Sequence, residues 1–156
     1  MRLFHMKTLI LALGNPILSD DGVGWEIADR VAAALPPGSV DILKESGATF
    51  DLLAKFAGYD RLVIVDAIQL RKAPVGTVYR FTIEDFQSTV RYSSAHDINF
   101  ATAIAMGRSL GYAIPSDIRI YGIEVLELRR FGECLTPEVQ GKLDRMTQHI
   151  LAELQA

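Results

Sequence analysis

The run Arg61-Leu62-Val63-Ile64-Val65 is the strongest constraint on what this chain can fold into. Its apolar residues are consecutive, so a strand formed there turns hydrophobic side chains to both faces of its sheet, and both faces must be covered. The sequence supplies the cover. Val23, Ile27, Val31 and Leu35 recur at i, i+4, i+8 and i+12, the stripe of an amphipathic helix, and Pro36-Pro37-Gly38 stops it. Strand-like segments over Lys7–Leu13, Val40–Leu43, Arg61–Val65, Thr77–Phe81 and Ile118–Gly122 alternate with helical patterns. Phe50–Phe56 reads as a short helix, and Ile98–Tyr112 as one apolar on several sides and therefore buried. A last helix opens with Thr136 as N-cap and Pro137 in its first turn, and carries the stripe Val139, Leu143, Met146, Ile150, Leu154. The connection from Asp66 to Gly76 spans about eleven residues and holds Pro74, which is short for a helical crossover, so the strand after it is expected to run antiparallel. The fold class is α/β: a single three-layer domain over residues 1–156, with a five-stranded, mostly parallel twisted sheet, one antiparallel strand and helices on both faces.

Charge narrows the partners. A formal charge of −3 and a pI near 5.6 leave no basic footprint for nucleic acid or an anionic membrane. No apolar run approaches the roughly 18–20 residues of a membrane span. The opening Met1–Lys7 has no hydrophobic core or cleavage site of a signal peptide, and Met6 offers an alternative start. A single cysteine, Cys134, excludes an intrachain disulfide and suits a reducing compartment, so a cytoplasmic protein is expected. Nothing fixes an oligomeric state, and a monomer is the default.

The chemistry-bearing residues sit where strands end. Between the first strand and first helix the chain reads Gly14-Asn15-Pro16-Ile17-Leu18-Ser19-Asp20-Asp21-Gly22-Val23-Gly24, which puts two adjacent carboxylates on a glycine-bounded turn. In open α/β sheets such turns, outside the carboxyl ends of strands, are where ligands bind. Asp66 follows the central strand at its carboxyl end, and His96 lies in the polar segment Tyr92-Ser93-Ser94-Ala95-His96-Asp97 ahead of a helix. In a parallel sheet Asp21 and Asp66 share one rim, within reach of His96. Two carboxylates and an imidazole suit a divalent first-row metal, and three protein ligands leave positions open for substrate. The competing reading makes each acid a helix or turn cap and His96 part of a helix start. Glu124 adds an acid on the same rim, as a surface or hydrogen-bonding residue. Trp25 is either a partner-facing anchor or a core or rim residue, Cys134 a semi-buried small residue, and His5 and His149 solvated.

Taken together, Gly14-Asn15, Asp20-Asp21-Gly22-x-Gly24, Val65-Asp66-Ala67, Ser94-x-His96, Tyr121-Gly122-Ile123-Glu124 and Leu135-Thr136-Pro137 resemble the hydrogenase maturation proteases. These are endopeptidases that trim the C-terminal tail of nickel–iron hydrogenase large subunits, and the likeness extends over nearly the whole chain. The resemblance implies that Asp21, Asp66 and His96 form a nickel-recognising site, with Asp21 and Asp66 also the catalytic candidates. It implies that nickel arrives bound to the large-subunit precursor, so that no permanently bound cofactor is expected and cleavage waits on nickel insertion. Two positions depart from the family pattern. Asp21 stands where Glu is more frequent, a side chain longer by one methylene or ~1.5 Å, and Lys44-Glu45-Ser46-Gly47-Ala48-Thr49 replaces a glycine-rich Asp-Gly-Gly-Thr segment.

Two other readings share parts of this pattern. Leu13-Gly14-Asn15-Pro16 resembles the opening of peptidyl-tRNA hydrolases, but the Tyr and Thr-Arg-His-Asn stretch that follows there is absent, and the negative charge disfavours a polyanionic partner. A glycine-bearing strand-to-helix turn also suits a non-catalytic nucleotide-binding module. Here the spacing is not G-x-G-x-x-G, and two carboxylates in the turn repel phosphate.

Overall fold

The computed structural model describes residues 6–46, 51–85 and 100–156. In chain order the elements are β1 (Thr8–Leu13), a 3-10 turn (Ser19–Gly22), α1 (Val23–Ala34), β2 (Val40–Glu45), α2 (Asp51–Lys55), β3 (Arg61–Ile68), β4 (Val78–Phe81), α3 (Phe100–Ser109), β5 (Asp117–Glu124), α4 (Pro137–Gln140) and α5 (Leu143–Gln155). They build a five-stranded sheet of order β2-β1-β3-β5-β4. β1 pairs in parallel with β2 and β3, β3 pairs in parallel with β5, and β4 lies antiparallel against β5. The apolar run is the central strand, and β3 is buried from Leu62 to its end.

Alternation along the strands divides the interior into two cores. Ile10, Val63, Val65 and Ile123 face Val23, Ile27 and Val31 of α1 and Leu143, Met146 and Ile150 of α5. The intervening Leu9, Leu11, Leu13, Leu62 and Ile64 face Leu52, Leu53 and Phe56 at α2 and Ile104 of α3. Successive strand side chains point to opposite faces, so this division is the period of two made physical. Helices therefore cover both faces of the sheet.

Chain direction reverses across β1 and β3. From β1 the chain crosses through α1 to β2 on one side, then returns past β1 to form β3 on the other. Loops leaving the carboxyl ends of β1 and β3 thus separate and leave a crevice between them. α1 seals its base. A Cβ on Gly24 would lie 2.9 Å from the carbonyl oxygens of both Leu13 and Val65, so only glycine lets the first turn of α1 rest on the ends of both strands.

Four expectations need correcting. β3 continues to Ile68 and β5 to Glu124, pairing Asp66 with Gly122 and Ile68 with Glu124. Asp66 is therefore inside a strand, although pairing with β1 ends one residue earlier, at Ala12 with Val65. The last helix is broken between Gln140 and Leu143, where Gly141 weakens the helix and Lys142 turns to donate its ammonium to the Val75 carbonyl at 2.6 Å. α3 buries Ile104 and Gly107, whereas Met106 and nearby Leu110 are exposed, because only one stripe meets the core. Cys134 is exposed rather than semi-buried. No helix among the described residues is long and apolar enough to cross a membrane.

Replacing Gly24 by Ala forces a methyl against two backbone carbonyls that side-chain repacking cannot move. Overpacking of this kind costs about 1–3 kcal/mol, and urea denaturation of the Gly24→Ala variant should show that loss as a lowered midpoint with an unchanged slope.

Candidate active site

The turn carrying the two acids is folded tightly on itself. A Cβ on Gly14 would fall 2.0 Å from the Asp21 carbonyl oxygen, so the chain returns here directly onto its own start. Leu18 N–H donates to the Asn15 carbonyl at 3.1 Å, and Asp21 N–H to the Leu18 carbonyl at 3.1 Å. Ser19 adopts a left-handed conformation (φ 52°), which is uncommon outside glycine. Contacts to a distant segment hold it there. Its N–H donates to the Gly132 carbonyl at 2.9 Å, its hydroxyl donates to the Arg130 carbonyl at 2.9 Å, and Gly132 N–H donates to Ile17.

Asp20 and Asp21 are both fully buried, as is Asp66. Buried carboxylates require hydrogen-bond partners, and the two neighbours find them in different directions. Asp20 turns away from the crevice. It accepts from the N–H groups of Leu126 (3.1 Å), Glu127 (2.9 Å) and Thr136 (2.7 Å), and from the Thr136 hydroxyl at 2.9 Å. One carboxylate thus ties the acidic turn to both ends of the segment between β5 and α4. Asp21 Oδ2 accepts the Asn15 N–H of its own turn at 3.0 Å. Neither acid caps α1: its N-cap is Gly22, with no side-chain cap. Thr136 holds the N-cap position of α4 but gives its hydroxyl to Asp20 instead of capping that helix.

Asp66 comes from the central strand, one residue beyond the Val65 carbonyl on which Gly24 rests. By strand alternation it shares a face with Leu62, Ile64 and Ile68, the face also covered by α3. Asp21, in the turn after β1, and Asp66, near the end of β3, thus lie toward the carboxyl ends of two parallel neighbouring strands. His96, in the segment just ahead of α3, lies outside the described residues, as does His5. Among the described residues no three His, Cys, Asp or Glu side chains are grouped as a metal site.

Glu124, at the end of β5, is buried and hydrogen-bonding rather than superficial. It accepts the N–H groups of Leu70 (3.0 Å) and Arg71 (2.7 Å), where Arg71 takes a positive φ of 57°. The turn leaving β3 is thereby fixed just past Asp66. Burial, then the nearby Glu124 carboxylate, push the Tyr79 phenol above its usual pKa, so it is neutral at physiological pH. His149 is exposed on α5, as expected of a solvated residue.

The sequence did not separate the tasks of Asp20 and Asp21, and it missed Thr136 as a partner more than a hundred residues away. One signal was present: tandem acids on a tight turn project in different directions, so one of them is free to serve the scaffold.

Comparison with known proteins gives this geometry its family. Residues 25–153 match the family model described as hydrogenase maturation protease. The chain belongs to the hydrogenase maturation protease family, and it is accordingly a peptide-bond hydrolase. It is 29% identical over 153 residues to the hydrogenase 2 maturation protease of Escherichia coli strain K12, covering 96% of this chain and 91% of that protein. Among solved structures it is similar to the hydrogenase maturating endopeptidase HybD from E. coli, with a TM-score of 0.77 at 28% identity over 96% of this chain and 93% of that one. The [NiFe] hydrogenase maturation protease HybD from Thermococcus kodakarensis matches with a TM-score of 0.76 at 27% identity, covering 96% and 99% of the two chains. The family match begins at Trp25, just after the acidic turn, whereas the relatives' alignments cover nearly the whole chain.

Removing Asp20 strands three backbone N–H groups and a hydroxyl. At about 1–3 kcal/mol for each buried unsatisfied group, Asp20→Ala should cost at least about 3 kcal/mol. Asp20→Asn, which keeps one acceptor oxygen, should cost less. Thermal melts of the two variants measure that order, and equal losses would remove the carboxylate from its anchoring role.

Proposed function

We propose that this protein is an endopeptidase that removes the C-terminal extension of a nickel–iron hydrogenase large-subunit precursor, and that nickel already seated in that precursor directs the cut. The observation that supports this reading is that Asp21 and Asp66 are both buried carboxylates, one in the turn after β1 and one near the carboxyl end of β3, its parallel neighbour. Family membership supports the precursor as substrate.

In this reading the metal belongs to the substrate. Carboxylate and imidazole donors suit a divalent first-row ion, and Asp21, Asp66 and His96 engage positions that the precursor's own ligands leave open. Their grip fixes the scissile bond relative to the carboxylate pair, and such positioning converts a diffusional encounter into an effectively intramolecular step. A water attacks the peptide carbonyl, a carboxylate of the pair takes its proton, and the proton is returned to the departing amine. The site is thereby of aspartic type and substrate-metal-binding, with no resident cofactor. A reducing cytoplasm, where precursor and protease meet as unattached proteins without a membrane or nucleic-acid partner, is the proposed setting.

The anchoring of Asp20 has a role in this chemistry. A turn tied at both ends of a distant segment presents Asp21 without needing to be ordered by the substrate, so binding free energy is not consumed there.

Purified protein incubated with nickel-loaded precursor should release the extension, read by mass spectrometry. Asp66→Asn and His96→Ala should each abolish release while far-ultraviolet circular dichroism is unchanged; full activity in either would take that residue out of the site. Nickel-free precursor should remain uncut, and equal cleavage with and without nickel would refute the gate.

A further inference from the structure

Beside the turn carrying Asp21 lies a cavity of about 260 Å³, bordered by Gly22 of that turn. Its chemistry comes from Trp25, Glu26 and Asp29 of α1, Lys44 of β2, and Glu133 and Cys134 of the segment before α4. Small-molecule sites run to roughly 300–1,000 Å³, so this volume suits one side chain better than a whole cofactor.

Three carboxylates line it against one ammonium, and that ammonium is already engaged. Lys44 Nζ lies 2.7 Å from Asp29 Oδ2 and 5.7 Å from the centroid of the Trp25 ring. The latter distance is within the reach of a cation–π contact. Among the described residues neither Glu26 nor Glu133 has a cationic partner. The cavity therefore combines an aromatic ring with surplus negative charge. The protein's own lysine shows that a cation is stable between the ring and a carboxylate.

We propose that this cavity receives a cationic side chain, arginine or lysine, of the precursor's C-terminal extension, seated against Trp25 and balanced by Glu26 and Asp29. The assignment of occupant rests on the function proposed above. A cation held here is placed beside Gly22, the residue after Asp21, and so sets the register of the extension relative to the carboxylate pair. Lys44 competes internally for the same ring and the same Asp29.

Trp25 is the only tryptophan in the chain, so intrinsic fluorescence reports on this cavity alone. Titration with N-acetyl-arginine amide should give a saturable change that the neutral near-isostere N-acetyl-citrulline amide does not. Lys44→Met removes the internal competitor and should tighten arginine-amide binding about threefold, and Glu26→Gln should weaken it by a similar factor, as expected for a cation–π and charge contact near a surface. Identical responses to the two amides, or weaker binding in Lys44→Met, would overturn the cavity's selectivity. Cleavage of nickel-loaded precursor provides the separate readout. Glu26→Gln should raise KM about threefold with kcat unchanged, and this effect should vanish when the basic residue of the extension that occupies the cavity is replaced by glutamine. Normal cleavage with no arginine response would overturn the cavity proposal and leave the protease reading standing. An arginine response with KM unmoved would overturn the choice of occupant, and absence of cleavage by the unaltered protein would overturn the reading of function itself.

Discussion

The rim of this sheet is held by the carboxylate of Asp20. Loops at the carboxyl ends of parallel strands have no ladder to bind them, and a buried carboxylate without donors is costly. Each deficit meets the other here. Asp20 takes three backbone N–H groups and a hydroxyl from the segment between β5 and α4, and that segment in turn holds Ser19 in its left-handed conformation. Charge-assisted hydrogen bonds are the stronger kind, so one side chain organises two loops. Asp20 is committed to the scaffold, and Asp21 is the acid of this turn proposed for the chemistry.

Beneath that rim, the sheet order sets what can meet. β1 and β3 are neighbours whose following connections part, and Gly24 brings α1 down onto both strand ends. An acid on the turn after β1 and an acid near the end of β3 consequently lie at the same edge of the sheet, although forty-five positions separate them in sequence. The two faces of the sheet share the work. α1 and its turn belong to one core, while Asp66 projects from the strand face of the other. The candidate site lies at the seam between two packed layers, each supported by its own apolar interior.

Much of this was legible because it is local. The continuous apolar run at Arg61–Val65 placed the central strand, the four-residue stripe from Val23 placed α1, and a short Pro-bearing connection called for the antiparallel β4. What was illegible depends on distance or on partners. Asp66 resembled a strand terminator because carboxylates are poor strand formers, yet pairing with β5 carries β3 onward to Ile68. Apolar composition made α3 look buried, but burial is set by what packs against a helix, and Met106 and the nearby Leu110 are exposed. Thr136 carries every local mark of an N-cap, and no periodicity shows that its hydroxyl is claimed by an acid 116 positions earlier. At the site, parallel topology correctly led Asp21 and Asp66 to one edge; the division of labour between Asp20 and Asp21 required their partners to be seen.

The way Asp20 grips its neighbours has a consequence for how such a protein can diversify. Its bonds to Leu126 and Glu127 go to main-chain N–H groups, which nineteen of the twenty amino acids supply. At those two positions the anchor is blind to the side chain it holds in place. The outward-facing Leu126 and Phe131 are therefore free to be rewritten without loosening the turn beneath them, so a lineage can change what this edge recognises while its chemistry stays still.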